Sequence, residues 1–217
     1  MNYIGVITGD IIDSSSILNA GRRKELLTVI HQVIEKLKSS SKWGKINFSL
    51  YRGDSFQLEV DDASKVLEIA LILRSALISN STKELHWDAR IGIGVGKREF
   101  LSDTVTESDG EAFHLSGKAF DNINKDSQIN ILTSDSDFNE ELEISSIFVI
   151  EIIINWTAIQ AQLFYLMHIE ELTQKEAAAQ RNITQQAVSK THTAAKINLI
   201  DKYITRFSSN INKIKNT

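Results

Sequence analysis

The stretch from residue 46 to residue 60, INFSLYRGDSFQLEV, contains two short strand-like runs on either side of a turn. In the second run, Phe56, Leu58 and Val60 alternate with Gln57 and Glu59, as the side chains of a half-buried strand do. The tripeptide RGD between the runs is rich in turn-forming residues. The stretch therefore predicts a β-hairpin.

Helical periodicity flanks this hairpin on both sides, because apolar residues recur every three or four positions before and after it. Outside the helices lie apolar runs typical of buried strands. The predicted elements are a strand at 3–8, a helix at 22–38, strands at 46–51 and 55–60, a helix at 62–79, a strand at 89–95, a helix at 111–124 and a strand at 129–132. A hairpin between two helices is typical of the ferredoxin-like, split βαβ plan and predicts an α+β fold.

The chain divides into three predicted parts. Residues 1–138 form the α+β domain, residues 139–155 a connecting helix, and residues 156–217 an all-α domain. In the strand at 89–95, Gly92, Gly94 and the following Gly96 share one face, which predicts a close approach of another element to the sheet.

Charge is distributed unevenly between these parts. The 217 residues carry a net charge of −4, but residues 156–217 contain eight basic and four acidic residues. An acidic body with a basic tail predicts that only the tail meets a polyanion. The chain has no cysteine, no zinc-type histidine spacing, no apolar run of about 18 residues and no basic leader, so we expect a cytoplasmic protein without a membrane partner.

The C-terminal part has the signals of a helix-turn-helix. Thr173 and Glu176 form a capping box, Asn182 suits a left-handed turn, and Thr184 caps a helix predicted over residues 185–204. Ile183 and Val188 are predicted to face inward. The second helix of such a unit enters the major groove, where Gln pairs with adenine and Lys with guanine or phosphate. The residues predicted to contact double-stranded DNA are Thr184, Gln185, Gln186, Ser189, Lys190 and Lys196.

Two aspartates are the candidate metal ligands. Asp10 ends the first strand and Asp54 lies in the hairpin turn, and a split βαβ sheet places that strand beside the hairpin. Paired carboxylates can hold Mg²⁺ against the phosphates of a nucleotide. The loop that follows, with Ile11, Ser14 and Ser15, can present N–H groups to phosphate. Each aspartate alone is also compatible with a structural role, in a cap or a turn.

Four segments in the same order resemble the catalytic core of class III nucleotidyl cyclases and, more distantly, diguanylate cyclases. They are GDIIDS at 9–14, RGDS at 52–55, RIGIGVG at 90–96 and GEAFHLSGK at 110–118. The resemblance implies that Asp10 and Asp54 ligate Mg²⁺ beside a bound nucleotide, and that the chain forms a homodimer.

The resemblance has three departures at catalytic positions. The late cyclase helix normally carries an Asn for the ribose and an Arg for the transition-state phosphates, where this chain has His114 and Lys118. Leu50 stands where a purine-selecting Lys is expected. Lysine lacks the planar fork of arginine, so cyclase activity is not expected, although Lys118 and His114 remain the candidate catalytic residues and Lys118 a candidate phosphate ligand.

The whole layout is similar to that of the SatD family. Together with the charge asymmetry, it favours a DNA-binding regulator whose cyclase-like domain senses a nucleotide with Mg²⁺. Two alternatives remain open at this stage. One is an active nucleotidyl-transfer enzyme with a DNA-binding tail, and the other is a non-catalytic adaptor.

Overall fold

A computed structural model describes residues 3–51, 54–98, 110–123 and 127–216. In the described part of the chain, five strands form one sheet and nine α-helices surround it. The strands are β1 (Tyr3–Ile11), β2 (Ile46–Tyr51), β3 (Ser55–Val60), β4 (Ala89–Lys97) and β5 (Ile129–Thr133). The helices are α1 (Ser14–Asn19), α2 (Arg23–Ser39), α3 (Val66–Ser79), α4 (Glu111–Asp121), α5 (Ser136–Ile154), α6 (Ala158–Ile169), α7 (Gln174–Gln180), α8 (Gln185–Ala194) and α9 (Ile197–Lys215).

The strand order is β2-β3-β1-β4-β5. Strand β1 is central and antiparallel to both β3 and β4, whereas β4 and β5 run parallel. This confirms the predicted α+β sheet with the first strand beside the hairpin. The predicted polar loop at 102–109, the Arg52-Gly53 part of the turn and the predicted helix end at Asn124 lie outside the described residues.

The two faces of the sheet are covered by different helices. One face, with Ile7, Phe56 and Ile91, packs into the core that α2 and α3 complete. On the other face, a Cβ on Gly94 would lie 2.2 Å from the carbonyl oxygen of Ala112, because the backbone of α4 rests on the strand. The predicted close approach at the glycine row is confirmed, and the approaching element is α4.

The C-terminal helices pack onto the same core. Nearly all of α3 is buried, and the buried apolar cluster continues from the sheet through α6 and α8 to α9. The prediction of one helix over residues 185–204 is wrong. The helix stops because the indole Nε1 of Trp156 donates to the carbonyl oxygen of Ala195 at 2.9 Å, and Lys196 is left-handed, with φ of 54°.

Three smaller expectations are also corrected. Strand β1 continues to Ile11, so Asp10 lies inside the ladder and not after it. The serine-rich segment that follows forms the short helix α1. Ile183 is 41% exposed and does not face inward, whereas Val188 is fully buried as predicted.

Among the described residues, no single helix is long and apolar enough to cross a membrane. Helices α5 and α6 are long and apolar enough only when taken together, and they are bent by 117° at their junction.

Candidate nucleotide site and nucleic-acid interface

The sheet brings Asp10 and Asp54 together in its backbone ladder. The Cα of Asp10 is paired with Ser55 on β3 and with Arg90 on β4. One position further, the amide of Ile11 donates to the carbonyl oxygen of Asp54 at 3.0 Å. The hairpin turn therefore places the two aspartates at the same end of the sheet, although they are far apart in sequence.

The two carboxylates have different partners. Oδ1 of Asp10 accepts a hydrogen bond from Nε of Arg90 at 3.0 Å, and its second oxygen accepts from Nη2. Oδ2 of Asp54 accepts from Oγ of Ser14 at 2.7 Å. Asp10 shares a face of β1 with Thr8, which contacts α4, whereas Asp54 lines a cavity with α1 and α2, so the two side chains have their partners on opposite sides of the sheet. One metal ion held by both would require Asp10 to leave Arg90 and turn over the end of the sheet.

Two cavities flank the loop between β1 and α1. A cavity of about 210 Å³ is lined by Ser14, Ser15, Arg23 and Asp54, with apolar side chains of α1 and α2. It gathers three predicted site residues around a cation that the sequence analysis missed. Arg23 directly follows another arginine at the start of α2, so its place in the same cavity as the serines could not be recognised from spacing alone.

The second cavity, of about 360 Å³, lies on the other side of the same loop. Its lining includes Ile11, Asp13, Arg90 and Gln128. Arg90 was also missed, although a charged residue within an otherwise apolar and glycine-rich strand is a signal that could have identified it. The amide of Ile11 is already used by Asp54, so this predicted phosphate contact has a partner within the sheet.

A buried ion pair between α3 and the segment before β4 supports this end of the sheet. Nε and Nη2 of Arg74 donate to the two carboxylate oxygens of Asp88 at 2.8 and 2.6 Å, and both side chains are fully buried. Burial favours the neutral acid, but the charge and hydrogen bonds of Arg74 hold the pKa of Asp88 below its usual value. The carbonyl oxygen of Asp88 accepts the amide of Ile12, which fixes the exit of β1.

The two candidate catalytic residues lie elsewhere. His114 and Lys118 are exposed on α4, whereas Ala112 and Ser116 on the same helix are buried against the sheet. Ser116 also shares a hydrogen bond of 2.9 Å with the hydroxyl of Thr8. Since His114 and Lys118 occupy the side of α4 turned away from the sheet, one chain does not place them over Asp10 and Asp54.

Helices α7 and α8 form the candidate nucleic-acid interface. Thr173 caps α7 with the predicted capping box to Glu176, and Oγ1 of Thr184 accepts the amide of Ala187 at 3.2 Å. Asn182 in the turn has φ of 52°, the left-handed conformation expected from the sequence. These details confirm the predicted caps.

The side chains predicted to contact DNA share one property, which is exposure to solvent. All of Thr184, Gln185, Gln186, Ser189, Lys190 and Lys196 are exposed. On the opposite side of α8, Val188 and His192 are buried. Burial and the effect of the neighbouring His168 outweigh Asp201 and lower the pKa of His192, which favours the neutral imidazole.

Some basic residues of the C-terminal part are used inside the molecule. Nε and Nη2 of Arg206 each donate to a carboxylate oxygen of Glu141 at 2.9 Å. Nζ of Lys215 donates to Oδ1 of Asp62 at 2.8 Å. These two pairs attach α9 to the acidic body. The positive charge available to a polyanion is therefore smaller than the sequence count suggests.

No protein-family model and no curated protein sequence matches this chain. The resemblance to the SatD family therefore stays a prediction. The fold is similar to solved structures of nucleotide cyclase domains.

A diguanylate cyclase GGEEF domain from Vibrio cholerae has a TM-score of 0.43 and 10% identity, over 62% of this chain and 85% of its own. For adenylate cyclases from Trypanosoma brucei, the TM-score is 0.44 and the identity 12%, over 65% of this chain and 80% of theirs. A dimeric guanylyl cyclase domain from Blastocladiella emersonii has a TM-score of 0.40 and 15% identity, over 56% and 75%. The proposals below therefore depend on the residues of this chain.

Proposed function

We propose that this protein is a DNA-binding regulator whose N-terminal sheet senses a nucleotide together with Mg²⁺. Residues 1–138 act as the sensor, residues 139–155 connect, and residues 156–217 bind double-stranded DNA. The observation that carries the proposal is the surface of α8. Four of the residues predicted to contact DNA are exposed on α8 and the other two, Thr184 and Lys196, are exposed beside its ends, while Val188 and His192 attach the helix to the protein.

The geometry of α8 suits insertion into the major groove. Its capped N-terminus follows the tight turn from α7, and its first exposed residues are Gln185 and Gln186. Glutamine can donate to and accept from adenine in the major groove, and Lys190 one turn later can reach a guanine or a phosphate. The glutamines would therefore recognise bases near the start of the helix, and the lysine would add a positive charge one turn later.

For the sensor half, support comes from the end of β1. Asp54, two serines and Arg23 line one cavity, and Asp10 lies at the same end of the sheet, opposite Ser55. The donor set is hard oxygen, which fits Mg²⁺ when the phosphates of a nucleotide and water supply the remaining ligands. Among the described residues, no group of three or more His, Asp or Glu could hold a metal without such a ligand. Asp54 would hold the ion together with Asp10 once Asp10 has left Arg90, and Arg23 and Ser15 would face the phosphates.

The enzyme hypothesis is less well supported by this arrangement. A nucleotidyl transferase would need His114 or Lys118 at the reacting phosphates, but both lie on the outer side of α4. They could reach the aspartates of a second copy only in a homodimer. Release of pyrophosphate from an NTP with Mg²⁺ or Mn²⁺, abolished in Asp54→Asn, would favour this alternative over sensing.

The DNA half is tested by selection of binding sites from random duplexes at low salt. We expect binding that weakens steeply with salt, because released counterions drive it. Lys190→Ala should weaken binding to all sequences and lower the salt slope by about one, whereas Gln185→Ala should relax the base preference at one position. Lys24→Ala, on an exposed position of α2, is the matched control. Absence of salt-sensitive binding would remove the DNA-binding half.

The sensor half is tested by thermal denaturation with each nucleotide in the presence of Mg²⁺. A ligand that binds only the folded state raises the midpoint of unfolding. We expect a rise with at least one nucleotide, and its loss in Asp10→Ala and in Asp54→Asn. Glu35→Gln, an exposed change on α2, should keep the full shift. If no nucleotide shifts the midpoint, the adaptor hypothesis is favoured.

A further inference from the structure

Helix α5 carries an apolar stripe that is exposed in the described part of the chain. The side chains of Ile144, Ile147 and Phe148 are 65%, 59% and 69% exposed. Their spacing of three and four residues places them on one side of the helix. Clustered large apolar residues on a protein surface are typical of interaction sites.

A groove of about 580 Å³ runs beside this stripe, between α5 and the edge strand β5. Ile131, Leu142 and Ile150 contribute its apolar part. On the helix side its lining extends over residues 139–151, which is about 18 Å at the rise of an α-helix. The groove therefore has the length of three helical turns.

The rim of the groove is acidic. Glu140, Glu143 and Glu151 line it and are exposed, and none of its described lining residues is a lysine or an arginine. A second copy of this surface, an anionic membrane or a nucleic acid would each bring negative charge against these glutamates. The surface is complementary to a partner that is both apolar and basic.

The edge of the sheet does not offer a free place for another strand. The outward amide of Ile131 donates to Oδ1 of Asn130 at 2.9 Å, and that of Thr133 donates to Oδ1 of Asn139 at 2.8 Å. Nδ2 of Asn139 donates to the carbonyl oxygen of Thr133, and Oγ of Ser127 donates to that of Ile129. Side chains thus occupy four of the backbone groups on the β5 edge that strand addition would use.

From these features we propose that the α5 groove, defined by the stripe and the lining residues above, binds a basic amphipathic helix of another protein. The apolar side of that helix packs on Ile147 and Phe148 and into the groove. Its lysines or arginines lie against Glu140, Glu143 and Glu151. This is the helix-in-groove mode of recognition, in which apolar anchors recur along one side of the bound helix.

The test uses the full chain and a fluorescein-labelled peptide of 18 residues, made of leucine and lysine with the leucines at helical spacing. Fluorescence anisotropy should show binding that weakens as salt is added. The double change Ile147→Ser and Phe148→Ser should weaken binding at least tenfold without lowering the unfolding midpoint, because both residues are exposed. Glu143→Lys should weaken binding most strongly at low salt.

Controls separate this surface from general adhesion. Ile159→Ser removes an isoleucine that is 55% exposed on α6 and should leave binding unchanged. A scrambled peptide of the same composition, and a peptide with glutamate in place of lysine, should bind at least tenfold more weakly.

Any of four results would overturn the proposal. These are no peptide binding, equal loss in Ile159→Ser, equal affinity for the scrambled or acidic peptide, and a homodimer in sedimentation that the serine changes dissociate. The last result would identify a second copy as the occupant.

Discussion

Two arginine–aspartate pairs, Arg74–Asp88 and Arg90–Asp10, lie near the start of β4. They differ mainly in burial. Arg74 and Asp88 are both fully buried, whereas the side chains of Arg90 and Asp10 are 51% and 20% exposed. Both arginines use Nε and Nη2 to hold both oxygens of their aspartate. The comparison shows that the same two-pronged contact can be fully buried in one place and open to solvent in another.

Burial sets this difference because an unpaired charge costs far more inside the protein than at its surface. Arg74 also donates to Gln128, so the inner pair joins α3 to the segments before β4 and β5. The outer pair joins two neighbouring strands, and the guanidinium of Arg90 also lies 5.9 Å from the ring centroid of Phe120. We therefore assign the inner pair to stability and the outer pair to the site.

The largest expected effect is that of Asp88→Asn. This change leaves the guanidinium of Arg74 buried without a counter-charge, and we expect a loss of about 3–5 kcal/mol in the free energy of unfolding. Urea denaturation followed by circular dichroism measures it. The double variant Arg74→Met with Asp88→Leu should recover part of the loss, because it removes both charges. A loss below about 1 kcal/mol in the single variant would contradict the assignment of the inner pair.

His168 provides an intermediate case between the two pairs. Its ring lies between Glu68 of α3 and Asp201 of α9, with Nδ1 at 3.0 Å and Nε2 at 3.1 Å from their carboxylates. The side chain is 14% exposed, and Phe164 stacks on it with a centroid distance of 3.9 Å. Burial disfavours the imidazolium, but the two carboxylates outweigh it and raise the pKa of His168 above its usual 6.5.

This contact should make stability depend on pH. Because the pKa of His168 is raised on folding, the protonated ring contributes to the free energy of unfolding. This contribution is complete below pH 6.5 and is lost as pH rises through the folded pKa. We expect a contribution of about 1–2 kcal/mol from the charged hydrogen bonds.

Urea denaturation between pH 6 and pH 9, on wild type and His168→Gln, measures this difference. The two proteins should differ most at the acidic end and converge at the basic end. Equal differences at all pH values would contradict the assignment.

Other ionisable groups around the ring require a control. Lys42 and Lys65 act on Glu68 and lower its pKa together with His168, although burial opposes them. Glu171 pairs with Lys42 at 3.3 Å, and His192 lies near Asp201. Repeating the comparison in Glu68→Gln should reduce the difference between wild type and His168→Gln. An unchanged difference would show that another group causes the pH dependence.

Local patterns predicted much of the fold because they act over short distances. The alternation of apolar and polar residues from Phe56 to Val60 predicted a strand of the hairpin. The alternate glycines that begin at Gly92 indicated a face of the sheet that another element approaches closely. Contacts between distant segments could not be predicted in the same way. The end of α8 depends on a bond from Trp156, and that bond exists only after α6 and α8 have packed.

The same limit applies to the candidate site. The order of elements indicated that Asp10 and Asp54 would reach one end of the sheet. The partner of Asp10 depends on the register between β1 and β4, which pairs it with Arg90 across 80 positions of sequence. Arg23 lines one cavity with Ser14 and Ser15 across the turn from α1 to α2, in which the amide of Arg22 donates to the carbonyl oxygen of Ile17. Sequence spacing thus predicted the two aspartates of the candidate site but not its two arginines.

The smallest expected effect on stability is that of Arg90→Ala, which should change the free energy of unfolding by less than about 1 kcal/mol. Its effect on the proposed sensor should be larger, because it releases the carboxylate of Asp10 that a Mg²⁺ ion would use. We expect the nucleotide and Mg²⁺ to raise the unfolding midpoint more in Arg90→Ala than in wild type. Arg90→Lys should be intermediate, since lysine keeps the charge but not the two-pronged contact. A smaller rise in Arg90→Ala would instead make Arg90 a phosphate ligand facing the cavity that it lines with Asp13 and Gln128.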